Sequence, residues 1–348
     1  MRKSILLSIK ITMVMLGSIV GAGFATGKEI VNFFGIYGKF APEIIVVTGI
    51  LFFLAMMCFF MSGKYPENHI ISYFFNCLIF ISEFILLVAM ISGLFCVTNI
   101  FLSNDILVYF LLVISFFIGI LGVKGLESSN LILAPILIIS VISVCIVSLV
   151  NNTSELFQVN NSTTIQKLSY PFLYFGLNLF TSFPICKELG KKMTRKEIII
   201  TSTLTSFLIT ICISLISISV MKSSDMIFNS DMPLAILACN INGTIGFIFF
   251  FVILIGIMTT LVSCLFVLNS YHKNFKANKS IFAFFTIIIA YLFNFIGFSK
   301  IIQIFYPLIG IFGVALFIVT EITNKKGQRL LCPIQKNSIL NKNLIKNT

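Results

Sequence analysis

Of 348 residues, 58% are apolar and 10% charged, and the mean hydropathy is +1.07. A soluble domain of this size would need far more charge on its surface, so the chain reads as a polytopic membrane protein. The formal net charge of +12 does not mark a nucleic-acid binder, because the basic residues fall between apolar runs rather than in one patch.

Ten apolar runs follow in chain order, at roughly 5–36, 40–62, 69–101, 106–123, 130–150, 165–190, 196–221, 243–271, 280–297 and 300–322. Crossing a hydrocarbon core of about 30 Å takes about 20 such residues. The first run has no small-residue cleavage site before polar sequence and reads as a retained span, not a signal peptide. With the N-terminus inside, eighteen Lys and Arg fall on the cytoplasmic side, among them Arg2, Lys10, Lys124, Arg195, Lys273 and Lys326. Only Lys39, Lys167, Lys222 and Lys300 fall outside. That asymmetry predicts an even number of helices with both termini cytoplasmic. Residues 1–323 are expected to form one transmembrane domain, and 324–348, rich in Lys and Asn, a disordered cytoplasmic tail. On the outer side "MPLAILACNI" (232–241) is too short to span, and suits either a short helix over a vestibule or a surface turn.

Nine cysteines are scattered without a CxxC pair, and the only histidines are His69 and His272. No metal, redox or cofactor chemistry is expected from them. No nucleophile, base and orienting group fall together either, so no enzyme is expected.

The first run contains "GSIVGAGFATGKEI" (17–30), in which Gly17, Gly21, Gly23 and Gly27 precede Lys28 and Glu29. Glycine costs about 1 kcal/mol relative to alanine inside a helix, so this stretch is a candidate helix break. In lipid a break is tolerated only beside protein or a water-filled cavity. Its free carbonyls would suit a cation and its free N–H groups a carboxylate. The other reading of these glycines is close helix packing.

The same stretch aligns without gaps to "GLNLFTSFPICKEL" (176–189), 159 residues on, with Gly17/Gly176, Phe24/Phe183, Lys28/Lys187 and Glu29/Glu188 identical. The two copies run in opposite directions. This suggests an inverted repeat of two five-helix halves, about 5–150 and 165–322, with spans 1 and 6 broken around a midplane site. Lys28 and Glu29 would lie outside that site and Lys187 and Glu188 inside it, as gating or static structural charges. In span 3, Glu83 sits about 14 residues from the helix end, hence about 20 Å deep. A carboxyl at that depth marks an ion or proton pathway, here proton coupling, or else a structural pair with Lys187. Ala89 and Gly93 form a small-residue face on the same helix.

The glycine-rich stretch, the sixth span, "TTLVS" and "YPLIG" (306–310) closely resemble the YkvI-like bacterial membrane proteins. More distantly the chain resembles the amino acid–polyamine–organocation superfamily, with the LeuT fold. That resemblance implies an all-α protein of ten transmembrane helices in a 5+5 inverted repeat, in a bacterial cytoplasmic membrane. It implies a secondary transporter of amino acids or related small solutes, with the lipid bilayer as its surroundings. It also implies a sodium site built from Gly17, Val20, Gly256, Thr259 and Thr260. The two threonines have a bland alternative, back-bonding to their own helix. By the same analogy Gly21, Ala22, Gly23, Phe24, Phe180, Thr181 and Ser182 would line the substrate pocket, and N–H groups beside Gly23 would favour a substrate carboxylate. A ligand-sensing receptor subunit of the same fold, like the germinant receptors, is the alternative function.

Overall fold

The computed structural model describes residues 2–62, 69–102, 104–151, 164–191 and 193–344. Among them there is no β-strand. Every expected span is helical, because a backbone in apolar surroundings must satisfy its own N–H and C=O groups.

The first expected span is three pieces: α1 (Arg2–Ile19), α2 (Ala22–Thr26) and α3 (Lys28–Phe34). A 3-10 turn (Gly35–Phe40) leads to α4 (Ala41–Ser62), and then come α5 (His69–Phe101), α6 (Ile106–Ile120) and α7 (Val123–Asn151). The second half holds α8 (Thr164–Gly190), α9 (Arg195–Met221), the short α10 (Asp225–Asn229) and α11 (Pro233–Ile241). It ends with α12 (Gly243–Ser270), α13 (Lys279–Leu292) and α14 (Phe298–Leu344). Among the described residues, seven helical stretches are long and apolar enough to cross a membrane, and the apolar stretches Ser4–Ile19 and Ile106–Ile120 are shorter.

One expectation is corrected. The sixth span is not broken: α8 runs from Thr164 to Gly190 with Pro171 and Pro184 inside it. Pro184 has no N–H, so the Phe180 carbonyl loses its usual donor, but the surrounding turns stay helical. Helix α14 continues past the expected last span as far as Leu344. Residues 345–348 lie outside the described residues.

The helix pairs that pack most closely position everything that follows. Helix α5 lies along α12, α4 along α9, α1 between α7 and α9, and α8 between α14 and α4. Phe33 and Phe34 set their ring edges against Tyr174, and Phe59 sets its own against Phe183. Helix α11 is the short helix read from "MPLAILACNI"; Leu234, Leu237 and Ala238 are buried, and Leu234 packs on Gly27.

Candidate substrate cavity at the break in the first helix

The break follows from three hydrogen bonds. Val20 N–H still donates to the Leu16 carbonyl (2.6 Å), but Gly21 N–H turns to Ile19 (3.1 Å) instead of reaching back to Gly17. Helix resumes when Ala25 N–H donates to the Gly21 carbonyl (3.0 Å). A second interruption comes at Gly27, whose φ of 77° lies in the left-handed region that costs other residues about 1–2 kcal/mol. Lys28 and Glu29 then open α3 about 100° apart around its axis. The two charges part there. Lys28 Nζ donates to the carbonyls of Asn229 (3.3 Å) and Ser230 (2.8 Å), at the end of α10. Glu29 turns inward.

Its carboxyl enters a cavity of about 40 Å³ bounded by α1, the break, α3, α5, α8, α12 and α14. In this conformation the space suits a water or a small polar head group. Glu29 is 6% exposed, lies against Gly23 and faces the Asn178 amide. Glu83 lines the same cavity from α5 and is 3% exposed. Its carboxyl faces the Cys264 thiol, and its Oε1 has no hydrogen-bond partner among the described residues. Ser263, Thr260 and Tyr306 bring further hydroxyls, while Ile19, Leu86, Met90, Leu177 and Ile185 supply apolar walls. No Lys, Arg or His is among the described residues that line it.

The residues expected to bind substrate divide. Gly21, Gly23 and Thr181 line the cavity. Ala22 begins α2. Phe24 is wholly buried in the core, Phe180 lies by Phe312 (6.4 Å between centroids), and Ser182 donates to the Leu179 carbonyl (3.3 Å). On α5 the cavity face is Glu83, Leu86 and Met90, which turns Ala89 into the core; Gly93, a turn beyond, is covered by Phe298 and Ile257.

Of the residues expected to bind sodium, only Thr260 lines the cavity. Thr259 and Thr260 both donate to the Gly256 carbonyl (2.8 and 3.3 Å), the back-bonding alternative. Gly256 packs on Ala25 and the Gly21 carbonyl, Gly17 packs on Asn130 of α7, and Val20 is buried. Gly21 meets Thr260 so closely that a methyl group there would collide with its hydroxyl.

The two Lys-Glu pairs are not equivalent. Glu188 is 41% exposed and pairs with Lys191 (2.7 Å). Lys187 lines a separate vestibule with Asn76, Tyr271 and Glu188, so it is not placed beside Glu83. Sequence reasoning gave Glu29 only a gating or structural part and passed over Tyr306, Met90 and Cys264 as site residues. Tyr306 was within reach, since it opens "YPLIG".

No family model matches the chain. In fold it is similar to Mhp1, a nucleobase-cation-symport-1 family transporter in a closed conformation with bromovinylhydantoin bound. The match covers 87% of this chain and 74% of that one at a TM-score of 0.57, with 11% sequence identity. In sequence the chain is a homologue of the uncharacterized membrane protein YkvI of Bacillus subtilis (strain 168). The two are 27% identical over 341 residues, or 92% of this chain and 96% of that one.

Proposed function

We propose that this protein is a secondary active transporter of amino acids or related small solutes, working by alternating access around the cavity. The observation that carries the reading is the break at Val20–Gly21, which opens on a buried cavity holding two carboxyls at the meeting of α1, α5, α8 and α12. A broken helix around a polar midplane site is how secondary transporters bind cargo and coupling ion. The Mhp1 likeness supports the fold on which the reading depends.

The same reading takes the ten expected spans as membrane helices of two inverted five-helix halves, with both termini cytoplasmic in a bacterial inner membrane. The helix pairing supports it. Exchanging halves carries the α1–α7 contact into α8–α14, α1–α9 into α4–α8, and α6–α12 into α5–α13, while α5–α12 and α4–α9 map onto themselves. Of the two coupling ions, the proton is better supported than sodium, since Glu83 lines the cavity and the threonine hydroxyls are engaged with Gly256.

Counterflow of radiolabelled amino acids into proteoliposomes tests the proposal. Saturable uptake driven by a pH gradient, and lost in Glu83→Gln, is expected. Binding without flux under any ion gradient would favour a receptor instead.

A further inference from the structure

A second polar cavity, of about 410 Å³, lies where α7 and α9 end, beside α10 and α11. It shares no lining residue with the central cavity. Its level in the membrane follows from helix length. Helix α9 has 27 residues and α7 has 29, so at 1.5 Å per residue they measure about 40 Å and about 44 Å. That is the thickness of a bilayer together with its head groups, about 40–45 Å, rather than of the hydrocarbon core alone. Asn151 ends α7 and Lys222 follows α9, which puts both at head-group level.

The chemistry of this cavity is one-sided. Lys222 lines it with Ser148, Asn151, Ser224 and Asn240, and no Asp or Glu is among the described residues that do so. Lys222 takes no part in the ion pairs Lys10–Glu127 and Lys191–Glu188 found among the described residues. Asp225, three residues on, is exposed and does not line the cavity. An ammonium, hydroxyls and side-chain amides can all donate, so together they suit the oxygens of an anion.

Two observations favour a lipid over a free anion. The remaining walls, Ile227, Leu237 and Ile241, are apolar. Large apolar side chains also stand uncovered next to the lining residues: Val150, beside Asn151, is 75% exposed, and Met226, beside Ile227, is 82% exposed. Ile146 and Val147 are exposed too and continue the face of Val150 along α7 toward the bilayer centre, at i, i+3 and i+4 spacing. A cation at head-group level above an apolar helix face is the order of groups in a phospholipid.

We infer that this cavity binds the head group of an anionic glycerophospholipid. Its phosphate accepts from the Lys222 ammonium, Ser224 and Asn240, its glycerol meets Ile227 and Leu237, and an acyl chain lies along Ile146, Val147 and Val150. A zwitterionic head group fits less well, because no carboxylate among the described lining residues meets its cation. The attraction of an interfacial lysine for anionic lipid is electrostatic and weakens with salt. The lipid braces α10 and α11, the segment that Lys28 and Leu234 hold from the side of the break. No covalent bond changes.

The test uses the full-length protein in a nonionic detergent. Phosphatidylglycerol and phosphatidylcholine with the same acyl chains are the probes, against inorganic phosphate and glycerol 3-phosphate at matched ionic strength. Lys222 is acetylated with an N-hydroxysuccinimide ester and read by peptide mass spectrometry, with the exposed Lys39 as the internal reference. Phosphatidylglycerol is expected to slow the labelling of Lys222 severalfold and to leave Lys39 unchanged, while phosphatidylcholine protects neither. Hydrogen–deuterium exchange over residues 225–241 is expected to slow severalfold with the same lipid. The labelling needs no variant, so a poorly folding substitution leaves the test intact. In native mass spectra Lys222→Gln should lose the phosphatidylglycerol that the wild-type protein retains. Protection by inorganic phosphate as strong as that by the lipid overturns the lipid in favour of a free anion. Equal protection by both lipids, or of Lys39 and Lys222 alike, overturns the site in favour of general coverage of the surface. Protection of Lys222 with unchanged exchange over 225–241 overturns the bracing.

Discussion

Gly23 and Glu29 occupy one space: a side chain at Gly23 would collide with the Glu29 carboxyl and stand 2.8 Å from its Cβ. The absence of a methyl group on α2 is thus what admits the carboxyl of α3 into the cavity. Overpacking of this kind costs about 1–3 kcal/mol. Gly23→Ala is expected to lower Tm by a few degrees and to weaken substrate binding severalfold by displacing Glu29. Glu29→Gly in the Gly23→Ala background should restore Tm and leave binding lost. Recovery of both by the double variant would show that Glu29 does not take part in binding.

The Lys28 ammonium ties the break to the end of α10, and Leu234 of α11 rests on Gly27 beside it. Hydrogen bonds made by a charged group contribute about 1.5–3 kcal/mol. Lys28→Met keeps most of the aliphatic stem and removes both bonds. Hydrogen–deuterium exchange over residues 225–241 is expected to rise about tenfold or more, a factor that corresponds to about 1.4 kcal/mol of local opening. Unchanged exchange would show that apolar packing alone holds this cap.

How much of this was legible in the sequence follows from the physics of each element. The apolar runs read correctly as helices because lipid leaves the backbone no other partner. The break at Val20–Gly21 was legible because glycine clusters weaken a helix directly. The continuity of α8 was not, because a helix tolerates Pro184 when its neighbours hold the freed carbonyl's turn in place, and those neighbours, α4 and α14, are distant in sequence. The inward turn of Glu29 was hidden for a related reason. Its alignment with Glu188 is a statement about position along a helix. Which way a side chain turns depends on Gly27, Gly23 and α8. Ala89 and Gly93 were chosen for small size, but the cavity face of α5 is set by its packing on α12.

Thr259 and Thr260 share an acceptor, the Gly256 carbonyl, yet only Thr260 lines the cavity. Valine keeps threonine's shape and removes the hydroxyl, so the two positions separate shape from hydrogen bonding. Thr260→Val is expected to reduce uptake severalfold. Thr259→Val is expected to leave it near wild type, with any effect confined to stability, where a buried hydrogen bond contributes about 0.5–1.5 kcal/mol. Uptake is compared in sodium and potassium buffers. A loss of sodium dependence in both variants would revive the sodium site and count against coupling through Glu83.

Where α14 passes α8 the two backbones approach closely, and the crossing bears on the cavity at one remove. A side chain on Gly313 would run into the Gly176 carbonyl, and one on Gly310 into that of Leu173. The obstacle is backbone in both cases, so neither helix can relax by turning a rotamer. Gly313→Ala must push α14 from α8, at about 1–3 kcal/mol or more. Gly243, at the start of α12, has nothing within 4 Å of where a methyl group would stand. Gly243→Ala is therefore the matched control, expected to be neutral or to stabilise by up to about 1 kcal/mol through helix propensity. Thermal unfolding of the two variants in detergent should differ in sign. Asn178 and Thr181 follow Gly176 on α8 and line the cavity, so the displacement should reach the site. Gly313→Ala is expected to weaken binding as well as stability, whereas equal binding in both variants would mean that the crossing holds the helices together without setting where α8 presents its polar groups.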